Sequence, residues 1–266
     1  MNNIFEFAER IFQASSIADK LLVTHDAWQK FSAGQLSSVS DSLPQPIAMT
    51  IFPERPQLLA PRQMPNRQLT SEAGTAAFFH AIAHIEFIAI YLAWDILYRF
   101  RGLPEQFYAD WLRIADEEAQ HFELICTHLH SLNLEYGDLP AHHGLWEHAE
   151  DTAEDLLARL ALVPRCMEAR GLDVTPKMLA KFQTNGDQAG AEVLTRILTD
   201  EIGHVERGSY WFKYFCNEQN LDPEAHYREM IARYYKGGKP KGPFNRDLRI
   251  MAGFSTAELD WLERNS

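Results

Sequence analysis

The sequence predicts an all-α protein built around a four-helix bundle. Apolar residues recur at intervals of three and four along four long stretches, which is the spacing of helices with one buried face. Gly and Pro residues fall between these stretches, where helices would end, and no stretch shows the alternation typical of a strand. Of the 266 residues, 46% are hydrophobic, which is enough for a sizeable buried core.

Residues 1–70 are predicted to form an N-terminal helical segment followed by a Pro-rich arm. Residues 1–42 carry short helical patterns, whereas residues 43–67 are rich in proline. The prolines are Pro44, Pro46, Pro53, Pro56, Pro61 and Pro65. Proline removes a backbone donor and blocks the helix interior, so the sequence predicts an extended arm here.

The bundle itself is predicted over residues 71–220. Ser71 can cap a first helix that runs to about Phe100, since Gly102 lies just beyond the last apolar position. A second helix is expected over about residues 105–132, before a turn-rich stretch.

The other half of the bundle is predicted to be less regular. A third helix is expected over about residues 145–170, kinked at Pro164 and ended by Gly171. A short helix then begins near Pro176, and the fourth bundle helix covers about residues 187–219.

A C-terminal helical extension, residues 221–266, is expected to pack on the bundle and contains a basic loop at 236–249. The formal net charge of −12 argues against nucleic acid as a partner, because phosphate affinity comes largely from clustered Lys and Arg. The basic loop could meet an anionic substrate, or it could be an ordinary solvated loop.

Cellular location is predicted from three features. The cysteines are scattered and form no paired motif, which fits a reduced cytoplasmic protein. The N-terminus lacks the pattern of a signal peptide. Residues 76–94 have the length and apolarity of a membrane span, but they contain Glu86, so we interpret them as a core helix and expect no membrane association.

Six ionisable residues stand on mainly apolar helix faces, although Arg165 makes the face of the third helix less purely apolar. The second and fourth helices each carry Glu-x-x-His, and the first and third each carry a single Glu. The residues are Glu86, Glu118, His121, Glu168, Glu201 and His204. Glu118 follows Glu86 by 32 positions and Glu201 follows Glu168 by 33, so two helical hairpins of similar register would bring all six to one level.

This spacing predicts a carboxylate-bridged site for two metal ions. Residues at i and i+3 project from adjacent turns, so one helix supplies both an oxygen and a nitrogen ligand. Four carboxylates balance the charge of two divalent cations. The mixed carboxylate and imidazole ligand set suits iron best, with manganese as the alternative. The competing interpretation is a set of buried ion pairs that fasten the helices together.

Two further carboxylates are predicted to support the ligands. Asp200 and Glu117 each precede a ligand Glu, and we expect them to accept hydrogen bonds from His121 and His204 respectively. Both could instead be solvated charges. His80 and His84 are predicted to be hydrogen-bonded core histidines, and the loop residues His142, His143 and His148 to lie at the surface.

The sequence resembles the ferritin-like superfamily of diiron carboxylate proteins, and within it a bacterial family classed as a domain of unknown function. The resemblance covers nearly the whole chain. It includes FPERPQLLAPRQMPNR, HAIAHIEFIAIYLAWD, FYADWLRIADEEAQHF, ILTDEIGHVERGSYWF and KGPFN. It implies a ferritin-like bundle in which all six ligand positions of the superfamily pattern are filled.

The functions implied by the resemblance differ among relatives. They include ferritins, manganese catalases, ribonucleotide reductase small subunits and hydroxylases, one of which acts on modified tRNA. The position of the reductase radical tyrosine is Ile125 here, which argues against that role. We therefore expect a diiron oxidase or hydroxylase that uses O₂ or peroxide, with a ferroxidase or manganese catalase as alternatives. A small-molecule or modified-nucleotide substrate, an electron-donor protein and a homodimer are compatible with this expectation.

Overall fold

The computed structural model describes residues 2–65, 71–236 and 240–266, and the regular structure within them is helical. The helices are α1 (Ile4–Gln13), α2 (Ile17–Ser32), α3 (Glu72–Arg99), α4 (Glu105–Ser131), α5 (Gly144–Asp151), α6 (Leu156–Leu162), α7 (Ala169–Thr184), α8 (Gln188–Glu218), α9 (Pro223–Tyr234), α10 (Arg246–Met251) and α11 (Thr256–Arg264). Extended pairing in the described ranges is limited to two isolated bridges, one at Asn3 and one at Leu58. The predicted all-α class is confirmed.

The chain divides into two compact units, Met1–Glu147 and His148–Ser266, with the division inside α5. The sequence predicts three segments, 1–70, 71–220 and 221–266, and the boundary between the two units falls inside the second of them. The N-terminal segment and the first two bundle helices belong to the first unit, and the remaining bundle helices and the C-terminal extension belong to the second. The ferritin-like four-helix bundle stays a prediction.

The first unit is organised around the hairpin of α3 and α4, with α1 packed on α3 and α2 on α4. The Ser71 side chain accepts a hydrogen bond from the Gly74 N–H at 3.1 Å and caps α3, as the sequence predicts. Although α3 is long and apolar enough to cross a membrane, 78% of its most apolar window is buried. This burial supports the interpretation of α3 as a core helix.

The Pro-rich arm is extended in its described part, residues 43–65, apart from short 3₁₀ turns at Ile47–Met49 and Pro61–Gln63. The Ile51 carbonyl oxygen accepts hydrogen bonds from Lys20 Nζ at 3.2 Å and from the Tyr91 hydroxyl at 3.0 Å. The arm is therefore fastened to both α2 and α3. The rest of the predicted arm, at residues 66 and 67, lies outside the described residues.

The second unit corrects the predicted third helix. The stretch from 145 to 170 is broken after α5, because Asp155 begins a new helix by accepting a hydrogen bond from the Ala158 N–H at 2.9 Å. A π-helical segment, Val163–Glu168, follows α6 and contains Pro164 where a simple kink is predicted.

The predicted helix end at Gly171 and the separate helix at Pro176 are both wrong, because α7 runs through both positions. Pro and Gly each disfavour a helix interior. Tertiary packing offsets this cost, since α7 packs along α8 and buries Ala169, Leu172 and Phe182.

The C-terminal extension packs on the second unit through apolar residues and ion pairs. Phe254, Leu259 and Leu262 are buried in one cluster with Leu172 and Val205. The extension thus packs on helices of its own unit, and its packing on a four-helix bundle stays a prediction.

Candidate metal centre

Three of the six predicted ligands meet in the first unit. One ligand atom from each of Glu86, Glu118 and His121 lies within 4.8 Å of the others. His121 Nδ1 is 3.2 Å from Glu86 Oε2 and 3.4 Å from Glu118 Oε2. All three residues are at most 4% exposed, so two carboxylates and one imidazole share a site removed from bulk water.

The positions of these groups follow from helix geometry. Glu118 and His121 are separated by three residues on α4, so both side chains project from the same face. The flanking positions of that face, Ala115 and Phe122, are buried. On α3, Ala83 and Ile90 are buried one turn before and after Glu86, as the predicted apolar stripes require.

The electrostatics of the cluster disfavour two free carboxylates. Burial raises the pKa of Glu86 well above its ordinary value, and repulsion from the Glu118 carboxylate raises it further. The hydrogen bond and charge of His121 act in the opposite direction. A divalent cation bound here would remove this repulsion and hold both carboxylates ionised.

The second unit contains the matching Glu and His on α8. His204 Nδ1 lies 3.5 Å from Glu201 Oε1, and these side chains are 0% and 11% exposed. Glu168 is the last residue of the π segment, is half-buried, and belongs to an element that packs against α8. Its role as a ligand stays a prediction, as does the convergence of all six residues on one pair of ions.

The predicted supporting carboxylates both form ion pairs along their own helices. Asp200 Oδ2 is 2.5 Å from Arg196 Nε, and Glu117 Oε1 is 3.2 Å from Arg113 Nη1. Both arginine side chains are substantially exposed, at 52% and 41%. The expected hydrogen bonds of Asp200 and Glu117 to histidines are not tested by these contacts and stay predictions.

The other histidines agree with the sequence in part. His80 Nε2 accepts a hydrogen bond from the Gly137 N–H at 3.0 Å, and His84 contacts the Tyr136 hydroxyl at 2.9 Å, so both are hydrogen-bonded core residues as predicted. Burial lowers the pKa of His84 to about 4 and keeps its ring neutral. The predicted surface position of His148 is wrong, because only 9% of this residue is exposed.

A second acid and base cluster escapes the sequence pattern. His25 Nδ1 on α2 lies 2.6 Å from Asp116 Oδ1, and His25 Nε2 lies 3.4 Å from Glu123 Oε2. The hydrogen bond to Asp116 is the main cause of a raised His25 pKa. His25 and Asp116 are 91 positions apart, so only the packing of α2 on α4 identifies them as partners.

Together the helices and the buried carboxylate and imidazole cluster define an all-α protein with a candidate metal centre. Residues 13–260 match the family described as protein of unknown function DUF455, and the chain belongs to that family. It is similar to an uncharacterized protein of Haemophilus influenzae, with 46% identity over 218 residues, which are 79% of this chain and 75% of the relative. No solved structure matches the chain.

Proposed function

We propose that this protein holds two metal ions and oxidises or hydroxylates an organic substrate with O₂ or peroxide. The preferred metal is iron, and manganese is the alternative. The observation that carries the proposal is the buried cluster of Glu86, Glu118 and His121. Its carboxylate and imidazole donors fit these metals, and the six predicted ligands contain no thiolate that would favour structural zinc.

The ligand set can balance the charge of two divalent ions. Glu86 and Glu118 would bind one side of the pair and His121 would supply nitrogen. Glu201, His204 and Glu168 repeat this set on the second hairpin, with nearly the same spacing in sequence. When bound, the metals would supply redox chemistry with O₂ or peroxide.

The cluster is removed from bulk water, since Glu86, Glu118 and His121 are at most 4% exposed. Phe122 follows His121 in the chain, Phe87 follows Glu86, and the two rings lie 5.2 Å apart. Both phenylalanines are buried, as are Ala83 and Ala115 on the ligand faces. A dry apolar wall strengthens the interaction of carboxylates with cations, because little solvent screens it.

Arg165, the arginine nearest to Glu168 in sequence on its N-terminal side, pairs with another carboxylate. Arg165 lies one turn before Glu168 and could have neutralised it. The Arg165 guanidinium instead binds Glu258, with Nη2 at 2.5 Å from Oε1. The charge of Arg165 is therefore paired with a carboxylate of the C-terminal extension.

The test is metal analysis of protein purified without added metal, followed by absorption spectra in air and after reduction. We expect about two ions per chain, a spectrum that changes on reduction, and consumption of O₂ or peroxide with an added reductant and substrate panel. Glu118→Ala should lose the metal, whereas Glu105→Ala, at an exposed position of the same helix, should retain it.

Other results would identify the alternatives. A hollow oligomer that accumulates many irons per chain would indicate iron storage, and gas evolution from peroxide by the manganese form would indicate a catalase. Protein that binds neither iron nor manganese would refute the metal centre.

A further inference from the structure

The π segment approaches α8 closely at Gly208. A Cβ atom added to Gly208 would lie 2.6 Å from Pro164 Cγ, and closer still to Pro164 Cβ. Real Cβ atoms do not come this close to neighbouring carbons, so Gly208 forms a notch that receives the Pro164 ring. The π segment can approach α8 this closely only because position 208 lacks a side chain.

Ser209, the next residue of α8, lies against both the π segment and the C-terminal extension. Arg165 Nε donates a hydrogen bond to Ser209 Oγ at 3.3 Å, and Ser209 Cβ lies 3.1 Å from the position of a Cβ added to Gly253. Gly253 has φ +86°, a left-handed conformation that favours glycine, and its carbonyl oxygen accepts a hydrogen bond from Lys213 at 2.5 Å. The π segment and the C-terminal extension are thus both fixed to one turn of α8.

This contact determines the register of two predicted ligands. The hairpin connection from α7 to α8 is short, so the π segment and α8 run antiparallel. One turn after Pro164 comes Glu168, and one turn before Gly208 comes His204. The fit of Pro164 into the notch therefore sets which turn of α8 faces Glu168.

We propose that Gly208 and Pro164 are positioning residues that place Glu168 opposite the Glu201 and His204 pair. The inference rests on the proposed metal centre and gives a role to the π segment, with its wider turn, that ends at this glutamate. Neither residue touches the metal ions. Their effect is transmitted by the spacing and register of the two helices.

The test compares Gly208→Ala with Gly203→Ala. Both substitutions add one methyl group to α8, and Gly203 is nearer to His204 in sequence, but a Cβ at Gly203 meets nothing within 4 Å. Mn²⁺ alone serves as the probe, counted by elemental analysis and titrated by electron paramagnetic resonance. We expect Gly208→Ala to weaken binding of one of the two ions by about 10–100-fold, as loss of supporting contacts around metal ligands does. Gly203→Ala should bind like the original protein.

A double variant separates positioning from folding. Pro164→Gly combined with Gly208→Ala removes both ring carbons that meet the new methyl group, so it should fold and recover most of the lost Mn²⁺ affinity even if Gly208→Ala alone is insoluble. A folded double variant that does not recover affinity would overturn the proposal. So would Gly208→Ala with unchanged binding of both ions.

The structures of the variants without metal test the positioning role independently of metal binding. If the original protein binds neither Mn²⁺ nor iron, the proposed function fails, and crystal structures of the metal-free variants then decide the positioning role. Displacement of Pro164 and Glu168 from α8 in Gly208→Ala, but not in Gly203→Ala, supports it. Unchanged positions in both variants refute it.

Discussion

Arg165 and Glu258 form a buried ion pair between the π segment and α11, although the residues are 93 positions apart in the chain. The Arg165 guanidinium also lies 4.7 Å from the ring centroid of Phe212 and 4.5 Å from that of Tyr227. Its charge is therefore surrounded by one carboxylate and by aromatic faces, and water is excluded.

Removal of the Glu258 charge should destabilise the protein strongly. Glu258→Gln keeps the shape of the side chain but leaves a buried guanidinium without its counter-charge, which costs about 3–5 kcal/mol. Urea unfolding should show this loss. Glu263→Gln is the control, since Glu263 pairs with Arg246 at the exposed surface and should cost less than about 1 kcal/mol. Similar losses in both variants would contradict the prediction.

The carboxylates of the candidate metal centre should reduce the stability of the metal-free protein. Glu118→Gln removes one of two buried like charges, so we expect a higher melting temperature without metal and no further increase when Mn²⁺ is added. The original protein should melt lower without metal and higher with it. Calorimetry measures all four states. If Glu118→Gln lowers the metal-free melting temperature as a broken ion pair would, the fastening interpretation gains support.

His25 should titrate above its ordinary pKa of 6.5, mainly because of its hydrogen bond to Asp116. The raised pKa means that its stabilising effect is complete below pH 6.5 and is lost as the pH rises through the folded-state value. An NMR titration of the His25 ring measures this. Asp116→Asn should lower the His25 pKa more than Glu123→Gln, because Glu123 is more distant and half exposed. Equal effects would contradict the assignment of Asp116 as the main partner.

Lys20 should make the protein more stable as the pH rises, which is opposite to the effect of His25. Burial lowers its pKa from 10.5 to about 8, so the folded protein binds fewer protons than the unfolded chain between these values. Relative to Lys20→Met, the free energy of unfolding of the original protein should therefore rise as the pH increases from 8 to 10.5. Urea unfolding at several pH values tests this. A difference between the two proteins that does not change with pH would refute it.

The regular part of the fold could be predicted because local signals and packing agree. Ser71 and Asp187 each cap the long helix that follows, and those helices have continuous apolar faces. The buried Glu and His residues on α3, α4 and α8 could be predicted for the same reason, since an ionisable residue is conspicuous on an apolar stripe. Their role as metal ligands stays a prediction.

The third predicted helix failed because long-range contacts decide its form. Gly171 and Pro176 are strong local signals for a helix end, but packing along α8 continues α7 through both. Asp155 could have been identified as a helix cap from its residue type alone. The Pro164 contact with Gly208 has no local signal, because the two residues are 44 positions apart in the sequence, as are Arg165 and Ser209.

Two buried ion pairs join the C-terminal extension to the rest of its unit and determine how far the chain can be shortened. Arg249 Nη2 lies 2.8 Å from Asp173 Oδ2 on α7, so the extension supplies the positive charge here, whereas at Arg165 it supplies the negative one. A fragment that stopped after α8 would leave Arg165 without Glu258 and Asp173 without Arg249, with only the weaker contact to Arg170 at 3.5 Å, and would expose the apolar residues that the extension covers. Such a fragment should aggregate on expression, so biochemical work on α8, the helix that carries Glu201 and His204, requires the protein to its last helix.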